Sequence, residues 1–473
     1  MPLFAALLAS ALHTRPCTQG KTKVPATCGT LRVYENRAAQ SGRTIGIHFI
    51  LLKAKHPSGH VIYVNLGGPA SELQDVPFIA DGDFLKELAA LRDRYDELFV
   101  DERGFGESHR IGCDLAPPAQ PQVYFAQLWP SKILAACRAK SARIADLAQY
   151  NTTSAIGDLD DLRAALGYDK LIFDVGSYGT FTAFLYMRAY PQHVESAVMM
   201  GVAPPGIMNL SREFAKGSQV ALDRLAASCA RDAVCSKKFP DFEAHFYAVL
   251  HRMDRGPMPV RMKNDVTKKV QTVLLSREVF ADNMRHMLYD PEGSSYLPYV
   301  IDHAYHGDTL PLGQIVDWET QAFASLVDAG AYLSYTCAEL MPSGNSPADL
   351  AQARKTWFGD DRARAQLAAC KIWNVPAMPA AFFEPVRSGA PILMFSGTND
   401  PAAPAYDATQ ELGYLWDARQ MLIENAPHDA ESPCTDRTAE KFVRSGGSWK
   451  GIDLDACTAN FARTPFATTW PPQ

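Results

Sequence analysis

Several protein classes are excluded by what this chain lacks. None of its ten cysteines is spaced C-x-x-C, so a zinc ribbon, a thioredoxin-type motif and an iron–sulfur run have no support. After the N-terminus nothing approaches the ~18 consecutive apolar residues of a membrane-spanning helix. Basic residues are not in excess: 46 Lys and Arg stand against 52 Asp and Glu, a net charge of −6. The electrostatic footprint of a nucleic-acid binder is therefore missing. Gly-rich phosphate loops are absent and no His/Cys cluster has ligand spacing, so neither a metal nor an organic cofactor is implied. The apolar run Leu3 to Ala9 has no basic residue before it, the first being Arg15.

What is present fits a large globular enzyme. The 473 residues are 47% hydrophobic and 21% charged, enough for a sizeable core. The length suits one large fold with an insertion, or two domains. An even number of cysteines spread along the chain fits disulfides in an oxidising compartment; ten buried thiols in a cytosolic enzyme is the plainer alternative. Ala9-Ser10-Ala11 after the apolar run has the small-x-small form of a cleavage site, so residues 1–11 are expected to be a short export signal and the protein secreted or periplasmic.

Periodicity divides the chain in three. Leu31 to Tyr34, Thr44 to Leu52, His60 to Leu66 and Leu98 to Val100 read as strands. Asp158 to Leu166 reads as a helix, Leu171 to Phe173 as a buried strand, Tyr178 to Tyr190 as a helix and Ala197 to Val202 as a strand. This alternation predicts an α/β fold with a mostly parallel sheet and helices on both faces. After Pro204-Pro205 the pattern turns helical, with amphipathic segments near Gln219 to Ala227, Phe242 to His251 and Arg277 to Leu288. Val270 to Leu275 is the exception. Strands return at Pro391 to Ser396 and Gln420 to Glu424. The expected organisation is a core of residues 12–204 and 389–473, interrupted by a mainly helical cap, 205–388.

The chemistry gathers at strand ends. Val175-Gly176-Ser177-Tyr178-Gly179 lies between a strand and a helix, the placement of a nucleophile elbow that exposes a serine hydroxyl at the sheet edge. Val175 stands where G-x-S-x-G has its first glycine, and its β-branched side chain is expected to crowd the turn. A serine needs a base and an orienting acid, in the order Ser, acid, His in such a fold. Asp400 follows the strand Pro391 to Ser396, and His428 follows the next. Asp407, Asp429 and Glu431 are rival acids, but Asp400 combines strand-end placement with the required order. The expected triad is thus Ser177, Asp400 and His428. The oxyanion hole is expected from the backbone N–H of Tyr178 and of Gly68, with Gly67 close behind, in the turn after His60 to Leu66.

With these motifs placed, the chain resembles the secreted α/β-hydrolases of the tripeptidyl-aminopeptidase and prolyl-iminopeptidase group of serine peptidases. The segments that carry the resemblance are Cys28-Gly29-Thr30-Leu31, Asn65 to Pro69, Asp101 to Ser108, Thr152 to Tyr168, Gly176 to Thr180, Cys337-Ala338-Glu339, Ser396 to Pro404, Pro427-His428 and Cys434. The C-terminal part resembles the domain typical of tripeptidyl-aminopeptidase-like proteins. The resemblance implies an α/β-hydrolase fold, the same triad and oxyanion donors, and an acidic cap residue, Glu339, near the free amine of a substrate. Relatives often carry a second acid after it; here Leu340 follows. Asp101 and Arg103 are expected to brace a loop rather than react.

The expected function is a secreted serine hydrolase acting on a small peptide or ester. An exopeptidase releasing N-terminal residues or short peptides leads. A carboxylesterase or amidase using the same triad is the alternative, and an inactive binding protein on this fold is a third. Neighbouring cysteines fall in the same module each time. Five local bridges are expected: Cys17–Cys28, Cys113–Cys137, Cys229–Cys235, Cys337–Cys370 and Cys434–Cys457.

Overall fold

The computed structural model describes residues 11–207, 211–459 and 461–470. The expected export signal lies, but for Ala11, outside the described residues. Among the described residues eleven strands are formed: β1 (Leu12–Gln19), β2 (Val24–Tyr34), β3 (Thr44–Leu52), β4 (Val61–Asn65), β5 (Asp96–Val100), β6 (Leu171–Gly176), β7 (Val194–Met200), β8 (Met258–Lys263), β9 (Val270–Leu275), β10 (Ile392–Gly397) and β11 (Ala418–Ile423). Nine of them make one sheet in the order β1-β2-β3-β5-β4-β6-β7-β10-β11. β1 to β3 form an antiparallel meander that joins β5 antiparallel. From β5 to β11 every pairing is parallel, so those strands end along the same sheet edge. That edge defines the crevice outside the carboxyl ends of the parallel strands, where ligands bind in open α/β sheets.

Side chains alternate between two apolar layers, as strand geometry requires. Val61, Tyr63, Phe173, Val175, Ala197 and Met394 face one; Ile62, Val64, Ile172, Val198, Leu393 and Phe395 face the other. Between β7 and β10 run helices including Arg212–Arg231, Phe242–Met253, Arg277–His286, Pro291–Tyr305 and Ala329–Glu339, with β8 and β9 as a separate antiparallel pair. The expected cap range falls within this stretch. Two strands differ from expectation. β1 has no apolar alternation, being mostly exposed at the sheet edge. β8 alternates buried and exposed but carries Pro259, which argues against an interior strand. Both partners of that hairpin leave the Pro259 nitrogen harmless, because β8 is an edge.

The five disulfides are those expected: Cys17–Cys28, Cys113–Cys137, Cys229–Cys235, Cys337–Cys370 and Cys434–Cys457, with no free cysteine. Among the described residues no helix is long and apolar enough to cross a membrane.

Candidate active site

Ser177 caps the helix Tyr178–Ala189 at the end of β6, with φ 50° and ψ −123°. For a non-glycine residue this is strained backbone, of the kind that gathers at functional sites. The strain is held by hydrogen bonds: Ser177 N–H donates to Met200 O at 2.9 Å, and the Thr180 hydroxyl donates to Ser177 O at 2.6 Å. Val175 does not crowd the turn. It points into the first apolar layer and is buried. The close approaches are made by glycines instead. A Cβ on Gly179 would lie 2.1 Å from Asn65 O, and one on Gly67 would lie 2.6 Å from Tyr178 N.

His428 follows β11, and its Nδ1 lies 2.8 Å from Asp400 Oδ2. The other Asp400 oxygen accepts from the backbone N–H groups of Ala402 and Ala403, each at 2.8 Å. Asp400 is buried with both oxygens engaged, and it fixes the imidazole with Nδ1 as donor and Nε2 free to accept. His428 and Ser177 line one cavity of about 210 Å³. Asp407, Asp429 and Glu431 make no such bond to the imidazole.

The Tyr178 N–H begins the helix and the Gly68 N–H lies in the turn after β4; neither has an acceptor among the described residues. Gly67 differs, because its N–H donates to Asn65 Oδ1 at 2.9 Å. Asn65 in turn donates to Glu102 at 3.1 Å, and Glu102 accepts from Thr182 at 3.2 Å. Two segments singled out in the sequence thus lock the same turn. The positive end of the helix adds to the field at Ser177.

Glu339 is not at this cavity. It is 1% exposed. One carboxylate oxygen accepts from Thr152 N–H at 2.6 Å; the other accepts from the Thr152 hydroxyl at 2.8 Å and from the Tyr178 hydroxyl. An ammonium would find both oxygens engaged, so the expected amine-binding role gains no geometric support. Glu339 instead anchors the side chain of Tyr178, whose backbone follows the serine. Burial pushes its carboxyl up to about 7, and burial with the neighbouring Glu339 charge pushes Glu102 to about 7. Asp101 and Arg103 do brace: Asp101 accepts from Ser71, Glu72, Leu73 and Glu107, and Arg103 forks onto Asp158.

Two contributors escaped the sequence. Tyr289, from the stretch between β7 and β10, sets its ring against His428 at 4.7 Å between centroids, and nothing in its local sequence signals this. Gly201 (φ 60°) makes room for the imidazole, since a Cβ there would lie 2.7 Å from His428 Cε1. A glycine directly after a buried strand was the available signal.

A strained serine at a strand–helix turn and an Asp–His pair after two later parallel strands are features of an α/β hydrolase. The chain belongs to the alpha/beta hydrolase fold family, whose model matches residues 78–430. It is 25% identical over 445 residues to serine protease Hip1 of Mycobacterium tuberculosis, covering 87% of this chain and 84% of that protein. It is 23% identical over 464 residues to carboxylesterase B of the same organism, covering 89% and 84%. A shorter match, 29% over 123 residues, covers 24% of this chain and 22% of the tripeptidyl aminopeptidase of Streptomyces lividans.

Proposed function

We propose that the protein is a secreted serine exopeptidase that releases N-terminal residues or short peptides through an acyl-enzyme on Ser177. The observation that carries this reading is the orientation of His428 by Asp400 in the cavity shared with Ser177. Ser177 Oγ attacks the carbonyl carbon while His428 Nε2 takes its proton. The tetrahedral oxyanion lies against the N–H groups of Gly68 and Tyr178. His428 then returns the proton to the leaving amine, and a water activated by the same imidazole releases the acyl group. Five disulfides are compatible with an extracellular location, and the segment 205–388 acts as the cap over the cleft. Peptidase relatives support the choice of leaving group.

Carboxylesterase activity is the second reading. The likeness to carboxylesterase B over most of both chains favours it, as does the engagement of Glu339 away from the cavity. A panel of aminoacyl and tripeptidyl anilides, with free and blocked amines, beside short acyl esters separates the two. Turnover of free-amine anilides that is lost on blocking the amine supports the exopeptidase. Turnover of esters alone refutes it.

A further inference from the structure

The cavity beside Ser177 runs down the second apolar face of the sheet and is walled by carboxylates that the triad does not use. Phe99, Val64, Asp174, Val198 and Leu393 stand side by side across β5, β4, β6, β7 and β10. Asp174 is the one charged residue in that row. It is 9% exposed, and its Oδ2 has no hydrogen-bond partner among the described residues. Glu87, on the helix Lys86–Leu91, is 6% exposed and its Oε2 is likewise without a partner among the described residues. Leaving buried carboxylates uncompensated costs several kcal/mol each, so such a pair calls for a counter-charge. Glu431, three residues after His428, and Asp436, in the first turn of the helix Pro433–Arg444, complete the wall.

One oxygen from each of Glu87, Glu431 and Asp436 lies within 4.8 Å of the others. Oxygens that share a calcium ion at 2.3–2.6 Å can be at most about 5 Å apart, so the three converge on a point that one ion can occupy. The protein's own charges do not neutralise the group. Lys86 faces Glu431 and Asp436 but is exposed, and Asp429 adds negative charge beside Glu431.

We propose that Glu87, Glu431 and Asp436, backed by Asp174, bind a divalent cation of calcium size. The ligands come from the helix after β4 and from both sides of the turn that follows His428. The ion therefore ties the base-bearing loop to the core, beside the Cys434–Cys457 bridge. It plays no part in the acyl transfer itself. Glu87 and Asp174 lie far in sequence from Glu431 and Asp436, which is why no ligand spacing announces the set.

The test is calorimetric titration of the chelator-treated, full-length protein with calcium chloride, together with thermal denaturation. One saturable site per chain is expected, with a Tm rise of about 3 °C at roughly a hundredfold excess over Kd. Glu87→Gln and Asp436→Asn should remove the heat and the shift while leaving the far-UV circular dichroism unchanged. Absence of saturable heat with calcium in the wild type overturns the proposal, whatever the variants do. So does a calcium response that survives Glu87→Gln. Protection by arginine amide but not by calcium also overturns it, because the cavity would then receive an organic cation.

Discussion

Replacing Asp400 by Asn changes one atom in the site, and the structure dictates where that atom goes. One oxygen of Asp400 accepts two backbone N–H groups, from Ala402 and Ala403; the other accepts His428 Nδ1–H. An Asn side chain with its NH2 toward Ala402 and Ala403 would set donor against donor twice in a buried place, at about 1–3 kcal/mol for each unsatisfied group. The carbonyl must stay on that side, so the NH2 faces His428 Nδ1. That nitrogen then has to accept, and the imidazole proton moves to Nε2, the atom that must take the serine proton. The same exchange in a Ser-His-Asp protease lowers kcat about 10⁴-fold, or about 5 kcal/mol on the barrier. The assay is steady-state turnover of the best substrate from the anilide and ester panel, with circular dichroism as the control for folding. A folded Asp400→Asn variant that keeps more than about a tenth of wild-type kcat would refute the assignment of Asp400 as the residue that orients His428.

Gly67→Ala should be severe, because its φ of 97° excludes a side chain and a Cβ would sit 2.6 Å from the Tyr178 nitrogen; a kcat loss of about 10²–10³-fold is expected from a displaced oxyanion donor, and near-normal turnover would contradict that placement. Glu339→Gln should leave the ratio of free-amine to blocked-amine turnover unchanged within about twofold, whereas Glu339→Ala, which strands three buried donor contacts, should lower stability by about 3 kcal/mol in denaturant titration. Glu102 and Glu339 hold their protons up to about 7 when folded, against an ordinary 4.5. The folded chain thus binds more protons than the unfolded one between those values, and stability falls as pH rises through that window; Tm should be higher near pH 5.5 than near pH 8, and Glu102→Gln should flatten the difference. Converting Cys434 and Cys457 to Ser together removes a bridge spanning 23 residues, a loss of about 3 kcal/mol, read as a lower denaturation midpoint.

The candidate triad is legible because each proposed member follows a strand whose apolar run is unmistakable: Ser177 after β6, Asp400 after β10 and His428 after β11. Chemistry at the carboxyl ends of parallel strands needs no knowledge of distant contacts. The sheet edge was harder. β1 reads LHTRPCTQ, and it is a strand because β2 pairs with it along its whole length, not because its residues alternate. Glu339 was misplaced for a related reason. Its partners, Thr152 and Tyr178, lie 187 and 161 residues away, so a carboxylate that anchors the nucleophile helix looks in sequence like a free acid in the cap. Val175 illustrates the opposite error. The small residue expected there was not needed, because the tight approaches fall on Gly67 and Gly179.

Whether Ser177 is a nucleophile activated by His428 and Asp400 is decided by labelling the intact protein with an active-site fluorophosphonate and mapping the adduct by peptide mass spectrometry. One adduct is expected, on Ser177, with none on Ser177→Ala and slow labelling of Asp400→Asn. Failure of the wild type to label, or equal labelling of Ser177→Ala, would contradict it.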